Sequence, residues 1–249
     1  MTNSTPLATP LPTPLVLLPG LMCDAAVWRA QIEEFSSRHT IHVPSYGELY
    51  SMTDMARHVL AGAPEKFSLA GHSMGGRIAL QVMRLAPERV LRLALLDTGC
   101  HALAEGAAGE TERRERSRLV DLARREGLRA MAQSWMDSLL HPASLGDAEL
   151  VDAITRMFER KTVEIFAGQV NALLHRPEAF PLLADFRCPV LVLTGRSDPL
   201  SRPDANREMA NAIAGSKLVI LEDCGHMAPQ ERPGEVNRYL SEWLELEVQ

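Results

Sequence analysis

The run Phe67-Ser68-Leu69-Ala70 leads without a break into Gly71-His72-Ser73-Met74-Gly75-Gly76, and then into Arg77-Ile78-Ala79-Leu80-Gln81-Val82-Met83. An apolar run, a glycine-rich turn with a serine at its apex and a helix-like run together read as strand, tight turn and helix. A turn this sharp strains the serine backbone and leaves little room beside it, so Gly71 and Gly75 flank the serine. The turn lifts the hydroxyl above the start of the helix. The first N–H groups of that helix then point at negative charge developing there.

Similar runs recur along the chain. Residues 15–18, 40–44, 67–71, 89–97, 190–195 and 217–221 read as strands, apolar on both faces as buried parallel strands are. Helices are expected over 25–35 with Asp24 as cap, from Ser51 or Thr53 to Gly62, after the serine turn to Leu85, over 203–214, and from Pro233 to Leu246. This alternation implies βαβ units and the α/β class with a mostly parallel sheet.

The alternation stops between residues 101 and 186. Residues 110–129 carry Arg113, Arg114, Arg116, Arg118, Arg124, Arg125 and Arg129 among acidic residues, with leucines at helical spacing. That is the pattern of a solvated helix laced with ion pairs, not of a nucleic-acid surface. Further helices are expected over 128–140, 147–160 and 162–174. The expected organisation is an extended or disordered tail at 1–14, one α/β core formed by 15–100 and 187–249, and an all-helical insertion at 101–186.

A net charge of −6 disfavours a nucleic-acid partner, and no apolar run is long enough to span a membrane. The N-terminus lacks the basic and apolar regions of a secretory leader, so the expected location is cytoplasmic. Cys23, Cys100, Cys188 and Cys224 show no C-x-x-C spacing. Neither a metal site nor a cofactor is expected, and a monomer or homodimer is.

A serine hydroxyl is a weak nucleophile at neutral pH and needs a base, which in turn needs an orienting group. In a parallel sheet both belong at the carboxyl ends of strands. Asp198 follows the strand ending at Gly195, and His226 follows the strand ending at Leu221. Asp97, at the end of an earlier strand, is an alternative acid. The expected roles are Ser73 as nucleophile, His226 as base and Asp198 as orienting acid.

Four segments carry a family resemblance: Leu17-Leu18-Pro19-Gly20-Leu21-Met22, the serine turn, Leu193-Thr194-Gly195-Arg196-Ser197-Asp198, and Cys224-Gly225-His226-Met227-Ala228-Pro229-Gln230-Glu231-Arg232-Pro233. In these the chain resembles the α/β-hydrolase-fold enzymes over nearly its whole length. The resemblance implies an oxyanion hole made by the Met74 N–H and an N–H from the loop after the first strand. Relatives usually carry His-Gly there, and here it is Pro19-Gly20, so Leu21 is the donor by position and Met22 the second choice. It also implies that the insertion is a cap over the serine.

Candidate substrate-lining residues are Met22, Met131, Trp135, Phe158 and Phe166, which favour a small or medium hydrophobic acyl or alkyl group. Arg77 lies one helical turn beyond Ser73 and could face the pocket. Its Ser-x-Gly-Gly-Arg context resembles the menaquinone-pathway lyases of this fold, where the arginine contacts substrate carboxylates. The first functional expectation is hydrolysis of a small-molecule carboxylic ester or lactone through an acyl-serine. The alternatives are C–C bond hydrolysis or elimination by the same triad, and a slow-turnover ligand receptor.

Overall fold

The structure, a computed structural model, describes residues 13–248. Of the tail expected at 1–14, residues 1–12 lie outside the described residues. Six strands form one sheet: β1 (Leu15–Leu18), β2 (Ile41–His42), β3 (Phe67–His72), β4 (Val90–Leu96), β5 (Val190–Gly195) and β6 (Lys217–Leu221), in the spatial order β2-β1-β3-β4-β5-β6. Every pairing among the described residues is parallel, with Leu17 opposite Ala70, Ala70 opposite Ala94, and Leu193 opposite Val219. β1, β3 and β5 are buried along their whole length, which is why they read as unbroken apolar runs.

The helices of the sheet layer are α1 (Arg29–Phe35), α2 (Met52–Gly62) and α3 (Met74–Leu85). α1 follows a 3-10 turn at Ala25–Trp28, and the Asp24 carboxylate caps that turn by accepting from the Ala26 N–H. Ser51 caps α2. Between β4 and β5 come α4 (Gly106–Leu139), α5 (Ala148–Glu159) and α6 (Val163–Leu174), all helical as expected. α4 is two helices joined at a kink where Gly127 has φ of 87°, a conformation glycine adopts without strain. Asp147 and Thr162 side chains cap α5 and α6. After β5 come α7 (Pro203–Asn211), the single-turn α8 (Ala228–Glu231), which the sequence pattern does not reveal, and α9 (Pro233–Leu244). β2 is shorter than the expected 40–44.

This topology makes a crevice. β1 pairs with β2 on one side and β3 on the other, so the chain leaves the carboxyl ends of β1 and β3 in different directions. In open parallel sheets ligands bind at such a point. The loop after β1 and the serine turn after β3 are therefore neighbours, and α4 to α6 lie over them.

Candidate active site

Ser73 occupies the turn between β3 and α3 with φ of 54° and ψ of −118°, far outside the regions an L-residue prefers. The packing explains how the strain is held. A Cβ on Gly75 would overlap the Leu18 carbonyl oxygen, and one on Gly71 would overlap the Gly75 backbone. The Ser73 N–H donates to the Leu96 carbonyl at 2.9 Å, and the Thr98 hydroxyl donates to the Ser73 carbonyl at 2.7 Å.

His226 Nε2 is 2.8 Å from Ser73 Oγ, and His226 Nδ1 is 2.8 Å from Asp198 Oδ2. A carboxylate only accepts, so Nδ1 carries the proton and Nε2 offers its lone pair to the serine hydroxyl. The other Asp198 oxygen accepts the N–H groups of Leu200 and Ser201 at 2.8 and 2.9 Å. Asp198 is thus a turn former and the partner of His226 at once. Asp97 makes no bond to the His226 ring. Its two oxygens accept from the Gly195 and Ala228 N–H groups, both at 3.1 Å. Burial, and then the charge of Asp198, raise its pKa well above the usual carboxylate range.

His72 braces His226. Its Nε2–H donates to the His226 carbonyl at 2.8 Å. Burial, then the charge of His226, push its pKa down to about 3, so the ring is neutral and keeps this role at any ordinary pH. The backbone N–H of His226 donates to the Leu139 carbonyl at the end of α4 at 2.8 Å. Glu231 accepts from Gly225 and from His141 at 2.9 and 2.8 Å, tying the same loop to the same helix end.

Leu21 and Met74 both line the cleft over Ser73. Neither N–H has an acceptor among the described residues. The Met22 N–H does: it donates to Gln169 Oε1 at 3.0 Å, which removes Met22 as the second choice of oxyanion donor. Met22, Met131, Phe158 and Phe166, expected to line the pocket, are fully buried core residues outside the cleft lining. Phe158 backs Trp135 with ring centroids 6.0 Å apart. Trp135 does line the cleft, together with Leu173 and Leu200. The four cysteines are free thiols, and burial pushes Cys23 up to about 12 and Cys100 and Cys188 up to about 11. None is an activated nucleophile.

Arg77 lines the cleft, as expected from its position one turn after Ser73, and so does Arg116 of α4. Arg77 donates to the His101 carbonyl at 2.8 Å and has no carboxylate within ion-pair distance among the described residues. The nearby carboxylate is Glu112, which accepts from Arg116 at 2.8 Å and from both Nη atoms of Arg176 at 2.8 Å. Glu112 is thus taken up by two guanidiniums, and Arg77 beside them has no carboxylate of its own among the described residues. Burial, then the charge of Arg176, push Arg77 down to about 9, still charged at neutral pH but short of an anion. The sequence hides Arg116 within a run of arginines. Only the fold selects it.

The cleft holds about 40 Å³, room for water but well below the roughly 300 Å³ of a typical small-molecule site. A larger groove of about 560 Å³ runs between α1 and α5, and neither Ser73 nor His226 lines it.

Known proteins resemble the chain over most of its length. The chain is 26% identical to the (E)-2-((N-methylformamido)methylene)succinate hydrolase of Acinetobacter baylyi, over 93% of this chain and 90% of that one. It is 31% identical to the pimeloyl-(acyl-carrier protein) methyl ester esterase of Pectobacterium carotovorum, over 76% of this chain and 77% of that one. A thermophilic esterase from Thermogutta terrifontis, solved with malate bound, superposes with a TM-score of 0.82 at 28% identity, covering 93% of this chain and 89% of that one. Residues 15–239 match a single family, so the chain belongs to the alpha/beta hydrolases.

Proposed function

We propose that the protein hydrolyses carboxylic esters, lactones included, of small acids through an acyl-Ser73 intermediate. The observation that carries this reading is the pair of 2.8 Å contacts linking Ser73, His226 and Asp198 beside two unengaged N–H groups. Ser73 Oγ attacks the carbonyl carbon and its proton passes to His226 Nε2. The Leu21 and Met74 N–H groups hold the oxyanion. The alkoxide leaves with the proton from His226. Water then attacks the acyl carbon, gives its proton to His226, and releases the acid and Ser73. Asp198 keeps the ring in the right tautomer throughout.

Leu21, Trp135, Leu173 and Leu200 give the substrate an apolar wall, while Arg77 and Arg116 give it an anion-binding one. We read the substrate as a small ester with a second, anionic group. The succinate in one relative's name and the malate bound to another support this, as does the guanidinium excess around Glu112.

Short- and medium-chain p-nitrophenyl esters test the reading. The wild type is expected to show a burst and steady turnover, and Ser73→Ala to lose about a thousandfold or more. No burst and no turnover by the wild type overturns ester hydrolysis and leaves C–C cleavage, elimination or slow ligand binding by the same residues. Arg77→Ala is expected to raise KM about tenfold more for mono-p-nitrophenyl succinate than for a neutral ester. An equal effect on both removes the anionic part of the proposal.

A further inference from the structure

The segment Gly20-Leu21-Met22-Cys23 is a hydrogen-bonded turn, with the Cys23 N–H donating to the Gly20 carbonyl at 3.1 Å. Met22, its third residue, has φ of 62°, and Leu21 is not in the positive-φ region. That combination defines a type II turn, whose third position normally calls for glycine or asparagine. A methionine there is strained, and the strain is relieved if the Leu21–Met22 peptide flips to give a type I turn. The flip would turn the Met22 N–H through roughly half a circle and would loosen, without reversing, the adjoining Gly20–Leu21 peptide that carries the Leu21 N–H.

What opposes the flip comes from the insertion. Gln169, buried on α6, accepts the Met22 N–H at 3.0 Å through Oε1. An N–H can only donate, so the amide oxygen must face it. After a flip the Leu21 carbonyl would face Gln169 instead, and a buried N–H would lose its acceptor. A cavity of about 220 Å³ lies against one side of the turn, lined by Pro19, Cys23, Tyr46 and Gln169, while the Met22 side chain is buried in the core. A second tie flanks the first: Arg160, just beyond α5, makes two bonds to the Asp24 carboxylate at 2.8 and 2.9 Å.

We propose that Gln169 is a positioning residue: through the Met22 N–H it holds the strained turn that presents the Leu21 N–H to the oxyanion. This rests on the reading of Leu21 as an oxyanion donor. The insertion then builds part of the catalytic centre in addition to covering it. Since the Leu21 N–H counts only when charge develops on the substrate oxygen, loosening the turn lowers kcat and leaves KM nearly unchanged.

The test compares Gln169→Leu, which keeps the volume and removes the acceptor, with Gln169→Glu, which keeps an acceptor. Thermal melts verify that each is folded. Q169L is expected to lose about tenfold or more in kcat on a p-nitrophenyl ester with KM changed less than threefold, and Q169E to recover most of the loss. Adding Met22→Gly to Q169L is expected to restore activity to the level of Met22→Gly alone, because glycine adopts the turn without help. Binding of phenylboronic acid, whose tetrahedral adduct with Ser73 places an oxygen in the same hole, should weaken in parallel in Q169L. The Met22 amide should exchange faster in Q169L than in the wild type. Unchanged kcat and boronate affinity in a folded Q169L overturn the proposal, as does a loss that Met22→Gly fails to repair. If the wild type turns over no ester, ester hydrolysis fails, and the boronate and amide-exchange measurements still decide the role of Gln169.

Discussion

Asp97 and Asp198 end neighbouring strands, and their hydrogen bonds divide two tasks between them. Asp198 faces the His226 ring, whereas Asp97 ties the end of β5 to the start of α8 through two backbone N–H groups. The two asparagine variants should therefore fail differently. Asp198→Asn offers an N–H to His226 Nδ1, turns the ring to the wrong tautomer, and is expected to lower kcat about ten-thousandfold while leaving the fold intact. Asp97→Asn sets an amide N–H against a backbone N–H and is expected to lose about 1–3 kcal/mol in urea unfolding, with a much smaller loss of kcat. Esterase kinetics and urea melts on both variants check the division. The sequence put Asp198 first and kept Asp97 as the alternative, because each follows a strand and strand ends are what spacing reveals. The 2.8 Å contact between His226 and Asp198, across 28 residues of chain, agrees with that order. Ser73 and His226 were legible for the same reason that Gln169, Arg116 and His72 were not. The former stand in local patterns, and the latter act through partners far away in the chain.

Among the elements, α4 shows best how a charged run is anchored. Glu112 lies between Arg116 and Arg176. Burial acts to raise its pKa, but the bond to Arg176 and the charge of Arg116 outweigh that and take it from 4.5 down to about 2. A carboxyl depressed in the folded state stabilises the fold above its unfolded pKa, and the contribution is lost as pH falls from about 4.5 toward 2. At about 1.4 kcal/mol per pKa unit the fall from 4.5 to about 2 corresponds to about 3.5 kcal/mol, and solvent screening of this part-exposed carboxylate leaves about 2–3 kcal/mol. Glu112→Gln is expected to destabilise the protein by about that much at pH 6 and by about a quarter of it at pH 2.5, just above the folded pKa, which urea unfolding at the two pH values would show. Equal losses at both would mean that the carboxylate charge does not anchor the helix. The strands and most helices were legible from apolar runs and helix starts such as Asp24 and Ser51. The break in α4 at Gly127 also agrees with the division into helices over 110–129 and 128–140. The short α8 was not legible, because a single turn carries too little periodicity to stand out.

At the scale of the molecule, the insertion touches the site at several places, among them Gln169 on the turn after β1, Arg116, Trp135 and Leu173 in the cleft wall, and the end of α4 on the loop that carries His226. The last is the closest. The Leu139 carbonyl receives the His226 N–H, and a Cβ on Gly225 would overlap the Leu140 and His141 backbone. A chimera in which residues 101–186 come from another family member should fold and yet lose about a hundredfold in kcat, because reacting groups misplaced by about 1 Å cost that much. Restoring a glutamine at 169 and the native segment 138–142 in the chimera is expected to recover most of the rate, measured by active-site titration and p-nitrophenyl ester kinetics. The backbone joint at Leu139 thus makes the chain less modular than its two-part layout suggests. New substrate ranges should arise here by exchanging side chains in place, since trading the whole covering segment would also trade away the support on which the imidazole rests.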